Sequence, residues 1–101
     1  MIAYTSRCSG RTADALGAAG WRFIVEPSQG YRSPPPLPYA LDNGAWGCHV
    51  RGIPFDFVGF RRLLADLGGG ADWIVLPDIV GGGKASLSES LMWLDEVAAA
   101  G

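Results

Sequence analysis

Two segments of this chain carry a short apolar run into an aspartate and then into glycine: Tyr39-Ala40-Leu41-Asp42-Asn43-Gly44-Ala45-Trp46, and Trp73-Ile74-Val75-Leu76-Pro77-Asp78-Ile79-Val80-Gly81-Gly82-Gly83. Apolar runs this short and without alternation suit strands buried on both faces of a parallel sheet. In such sheets ligand-binding and catalytic groups sit at the C-terminal ends of the strands. The repeated device therefore points to an α/β fold with two carboxylates, Asp42 and Asp78, on a common rim. The chain has 101 residues, about half of what closing a (β/α)8 barrel requires.

The segments between these runs complete the pattern. Ile2-Ala3-Tyr4 opens a first strand, and Ser9 or Thr12 caps an alanine-rich helix from Thr12 to Ala19 that Gly20 stops. Trp21 to Glu26 mixes aromatic and β-branched residues and ends at Pro27, as a second strand does. A loop stiffened by Pro34-Pro35-Pro36 leads to a third strand over Leu37 to Leu41. Asn43 to Phe55, with three glycines, reads as a long loop or small hairpin. Asp56 is placed to cap a helix whose Phe57, Phe60, Leu64 and Leu67 form a buried stripe, ended by Gly68-Gly69-Gly70. Ala71 to Leu76 is the fourth strand. Ser86-Leu87-Ser88-Glu89 matches a capping box, and the closing helix carries Leu87, Leu91, Leu94 and Ala98 on one stripe, with Met92 and Trp93 beside it. The expected order is β-α-β-β-α-β-α: a small, mostly parallel sheet in one domain spanning 1–101, arranged as half of a (β/α)8-like barrel.

Composition narrows the function. Apolar residues make up 49% of the chain and charged ones 18%, enough to build a core. A net charge of −2 offers no basic footprint, so direct nucleic-acid binding through the phosphate backbone is not expected. The N-terminus lacks the basic start and apolar core of a signal peptide, and no apolar run approaches ~18 residues; a cytoplasmic protein without membrane association is the expectation. Cys8, Cys48 and the single His49 lack metal-ligand spacing, so reduced thiols and no metal or cofactor are expected. At this size an apolar face without a partner is costly in water, which makes self-association or a tight partner an expectation too.

Asp42 can serve as a base, a nucleophile or an acceptor for a ring N–H, or its side chain can close an Asp-Asn-Gly turn on backbone amides. Asp78, after Pro77, has the same two readings. Gly81-Gly82-Gly83-Lys84 stands where a strand-to-helix loop can cradle an anion, but it lacks the Walker spacing and its hydroxyl residue, and a plain flexible turn fits as well. Trp46, Tyr31 and Tyr39 are candidates to stack on a planar ring or to pack the rim.

The Tyr39-to-Trp46 segment is similar to the Asp-Ser-Gly-Gly-Phe stretch of tRNA-guanine transglycosylases, whose aspartate follows a barrel strand and engages the exchanged base. The run from Leu76 to Gly83, with Leu87 and Trp93 behind it, resembles the matching segment of the wider transglycosylase-like group, including bacterial and phage members tied to deazaguanine modification. The resemblance implies a substrate-engaging role for Asp42 and base binding at Asp78. Asn43, Ala45 and Trp46 replace the family's hydroxyl, second glycine and phenylalanine, and the second half-barrel, with the nucleophilic aspartate and zinc ligands, has no counterpart here. No residue is therefore assigned a catalytic role.

Two functions follow as expectations. The first is a non-catalytic binding protein, of the small phage or mobile-element kind that inhibits a host defence complex such as CRISPR; a surface of Asp42, Asn43, Asp56, Asp78, Asp95 and Glu96, with Trp46 and Trp93 as aromatic anchors, would meet a basic protein groove. The second is a truncated or split transglycosylase-like enzyme that exchanges or binds a guanine-type base, completed by a homodimer or another chain.

Overall fold

The computed structural model describes residues 2–6, 8 and 10–101. It is an α/β fold: a three-stranded parallel sheet, β1 (Tyr4–Thr5), β2 (Arg22–Val25) and β3 (Tyr39–Leu41), in the order β1-β2-β3, with four α-helices. The helices are α1 (Gly10–Ala18), α2 (Ala45–Arg51), α3 (Phe57–Leu67) and α4 (Lys84–Ala100). Tyr4 pairs with Arg22, and Phe23, Ile24 and Val25 pair with Tyr39, Ala40 and Leu41. Ser9, one of the two expected caps of the first helix, lies outside the described residues. Thr12, the other, falls inside α1.

Two departures from the expected order matter. The fourth strand shrinks to a single parallel bridge between Leu41 and Ile74, held by Leu41 N donating to Trp73 O at 3.0 Å and Val75 N to Leu41 O at 2.9 Å. Among the described residues no strand pairs with its far side, and the run is not fully buried: Trp73 is left exposed. The 43–55 segment, expected as a loop, contains the helix α2. Two of its three glycines sit at the boundaries, Gly44 (φ 78°) preceding the helix and Gly52 (φ 67°) closing it, while Gly47 lies within it, so glycine here punctuates a helix instead of excluding one.

The core gathers Phe23, Val25, Tyr39 and Leu41 from the sheet, Phe60, Leu63, Leu64 and Leu67 from α3, and Trp93 and Val97 from α4. All three residues of β3 are buried, as suits a parallel strand with β2 on one side and the Ile74 bridge on the other. The Tyr39 hydroxyl donates to Leu67 O at 2.7 Å, tying β3 to the end of α3. At the opposite strand end, Asp72 accepts from Arg22 and from the Tyr4 hydroxyl, each at 3.0 Å. Asp56 caps α3 as the sequence predicts, its Oδ1 accepting from Gly59 N at 2.9 Å.

The helix α4 turns a different face inward from the one its leucines predict. Trp93 and Val97 are buried, whereas Leu87, Leu91 and Leu94 are exposed. Trp93 stacks on Phe57 at 5.8 Å, meets Phe60 edge-on at 5.5 Å and lies under the Arg61 guanidinium at 4.7 Å; one large ring with three such partners outweighs a stripe of leucines left exposed. The capping box also fails, because the helix starts earlier, at Lys84 after Gly83 (φ 56°). Ser86 is then one of the inward residues. Among the described residues no helix is long and apolar enough to cross a membrane.

Candidate functional site

The C-terminal end of β3 builds the site. Asp42 N continues the ladder by donating to Val25 O at 2.8 Å, and the chain then turns tightly. Asp42 Oδ2 accepts from Gly44 N at 3.3 Å and Asn43 Oδ1 from Ala45 N at 2.7 Å, so two consecutive side chains bond backbone amides two residues ahead. The turn requires φ 78° at Gly44, a left-handed conformation that strains any residue with a Cβ.

Asn43 is buried, with 3% of its surface exposed, and its amide nitrogen is fully used. Nδ2 donates to Leu76 O at 2.8 Å and to Asp78 Oδ1 at 2.6 Å. It therefore clasps the end of β3 to the segment carrying Asp78. From the other side α4 holds the same segment: Ser90 Oγ donates to Pro77 O at 2.8 Å, and Ser86 Oγ accepts from Ile79 N at 3.0 Å.

These ties bring Asp42 and Asp78 to one cleft of about 640 Å³, lined also by Asn43, Trp46, Leu76, Ile79, Gly81 and Ser90, a volume suited to a small organic ligand. Burial raises the Asp42 carboxyl above the usual carboxylate range; Glu26 and Asp78 add to the rise, and the Gly44 and Asn43 amides oppose it. Trp46, on the first turn of α2, stands at the mouth with 65% of its surface exposed, its ring 5.6 Å from that of His49. The cleft is thus lined by two carboxylates and by an exposed indole.

The expected eight-residue surface divides. Asp42, Asn43, Trp46 and Asp78 meet in the cleft. Asp56 is spent on its helix cap, and Glu96 bonds Arg61, with Nε to Oε1 at 2.8 Å. Asp95 is exposed on α4. Trp93, expected as an anchor for a partner, is 5% exposed and belongs to the core; its indole N–H donates to Glu89 at 3.2 Å. Tyr39, a stacking candidate, is also buried, with its hydroxyl committed to Leu67.

Sequence reasoning gave Ser86 a capping role and passed over Ser90; both instead fix the Asp78 loop. Their signal was present: two small hydroxyls one helical turn apart, on the same side as Trp93 and Val97, are placed to bond a loop the helix packs against. Cys8 and Cys48 are free thiols. Among the described residues no cluster of three or more histidine, cysteine or acidic side chains could hold a metal ion. Comparison of the chain with protein-family profiles, curated proteins and solved structures finds no match.

Proposed function

We propose that this chain is a non-catalytic recognition domain whose cleft binds the hydrogen-bond-donating edge of a guanine-type base. The observation that carries the reading is the convergence of Asp42 and Asp78 on one cleft that an exposed tryptophan, Trp46, also lines. Guanine presents adjacent N1–H and N2–H donors, which one carboxylate accepts side by side, and an indole plane covers the ring. Adenine presents an acceptor at N1, which would face a carboxylate unfavourably. The half-barrel order β-α-β-β-α-β-α and the transglycosylase-like resemblance belong to the same proposal. Base exchange by the isolated chain is not part of it, because catalysis needs enclosed reactive groups held to within about 0.5 Å, and the cleft residues are assigned recognition alone.

The test is a nuclear magnetic resonance titration of the whole chain with 9-methylguanine, using 9-methyladenine as the control. The expected result is guanine-selective shifts at Asp42, Asn43, Trp46 and Gly81, weakened roughly 10–100-fold by Asp42→Asn through loss of a charge-assisted contact. Equal response to both bases, or none at the cleft, overturns the proposal. A second reading draws on the same bare Trp46 and acidic rim: capture of a basic protein of a host defence complex. It expects Trp46→Ala to abolish complex formation and 9-methylguanine to have no effect on it.

A further inference from the structure

The cleft carries charge of one sign. Asp42 and Asp78 stand in it with Asn43, Ser90 and apolar side chains, and among the described residues that line it none is basic. The ion pairs of the described residues, Arg22–Asp72 and Arg61–Glu96, involve neither carboxylate. His49 shares a neighbouring cavity of about 210 Å³ with Asp78, yet makes no ion pair with it among those residues. The groups that do reach the two carboxylates are neutral: the Gly44 amide donates to Asp42 and the Asn43 amide nitrogen to Asp78. Burial, and then the negative charges of Glu26 and Asp78, oppose ionisation of Asp42. Neutral donors ease such a site without cancelling its charge, so a neutral ligand leaves the cleft negative and a cationic one offsets it. The Trp46 indole adds to the demand, because an indole face attracts cations. In this chain Trp93 holds one already, the Arg61 guanidinium at 4.7 Å. Trp46, 65% exposed, has the His49 ring of its own helix as its ring partner among the described residues.

From this combination of two carboxylates, an exposed indole and no lining cation, we infer that the cleft takes its guanine-type base in a cationic form, as an N7-alkylated guanine. The inference rests on the guanine recognition proposed above and names the form of the base. Alkylation at N7 places a positive charge on the ring itself. It leaves N1–H and N2–H in place and, by withdrawing electrons from the ring, makes both stronger donors to a carboxylate. One charge therefore strengthens the edge contact and the contact with the indole face together. A charge carried on a flexible chain outside the ring serves the carboxylates but not the stacked plane. The cleft, at about 640 Å³, lies within the ~300–1,000 Å³ of ligand pockets and has room for the added methyl group.

Nuclear magnetic resonance titration of the whole chain with 7,9-dimethylguanine, at a pH low enough for N1 to keep its proton, tests this against neutral 9-methylguanine. The expected result is tighter binding of the cation by roughly 3–30-fold, with shifts at Asp42, Trp46 and Asp78. Raising salt from about 0.01 to 1 M shortens the Debye length from ~30 to ~3 Å and narrows the gap between the two bases. Trp46→Leu narrows it as well, and because Trp46 is exposed the replacement leaves the core intact; Asp78→Asn acts in the same direction by removing one charge. Equal affinity for the two bases overturns the inference and leaves guanine recognition standing, and so does a gap that neither salt nor Trp46→Leu alters. Tetramethylammonium chloride binding the cleft as tightly as 7,9-dimethylguanine shows a response to charge alone and overturns both proposals, as does failure of both bases to bind.

Discussion

Replacing Asn43 by alanine tests whether the cleft is held by one buried side chain. The substitution deletes three hydrogen bonds at once: Nδ2 to Leu76 O, Nδ2 to Asp78 Oδ1, and Ala45 N to Oδ1. Two are neutral and contribute about 1 kcal/mol each, while the bond to a carboxylate contributes about 1.5–3 kcal/mol. With Asn43 only 3% exposed, water replaces these partners poorly, so the summed loss is about 3–5 kcal/mol, a large share of the ~5–15 kcal/mol available to a domain. Urea unfolding read by tryptophan fluorescence measures it as a fall in midpoint at constant slope. Asn43→Asp sharpens the test: at neutral pH it sets a carboxylate against Leu76 O and Asp78, where the amide donated, and so destabilises more than alanine does. Acidification protonates the new carboxyl, restores a donor and recovers part of the loss. A loss below ~1 kcal/mol for Asn43→Ala, or Asp tolerated as well as Ala at neutral pH, would refute the clasp.

Two further outcomes follow from the same turn. Burial raises the Asp42 carboxyl in the folded state, so its contribution to stability is fully present below the unfolded-state value of ~3.9 and is lost as pH rises through the raised folded value; Asp42→Asn removes that loss, and its stability relative to the parent climbs with pH and then levels, whereas parallel denaturation curves across this window would contradict it. Gly44→Ala forces a Cβ into φ 78° and to 3.2 Å from Pro27 Cδ; thermal unfolding monitored by circular dichroism registers a loss of about 1–2 kcal/mol, and a change within ~0.5 kcal/mol shows that the turn relaxes freely.

The parts of the fold legible in the sequence are those governed by neighbours a few residues away. The strands around Phe23 and Ala40, the α1 helix and the Asp56 cap all follow from local runs and turn chemistry, and the structure keeps them. Of the α3 stripe, Phe60, Leu64 and Leu67 are buried as predicted and Leu63 joins them, whereas Phe57, at the first turn, remains 43% exposed and stacks on Trp93. The pairing of Asp42 and Asp78 on one rim was legible through their repeated setting at strand ends. What was not legible is how that rim is braced. Asn43 looked like a turn residue or a ligand contact, and nothing near it in sequence shows that its amide reaches Leu76 and Asp78, more than thirty residues away. The α2 helix was masked because glycines that bound a helix resemble glycines that break one.

By itself, then, the chain settles its class, a parallel α/β fold with acidic strand ends, because β-branched runs, caps and glycine turns act through short-range sterics and local hydrogen bonds. Tertiary structure alone decides which face of α4 is core. Both of its faces are apolar, and only the fit of Trp93 between Phe57, Phe60 and Arg61 selects one. Burial is a property of the neighbours a side chain finds, and hydrophobicity along the sequence does not name them.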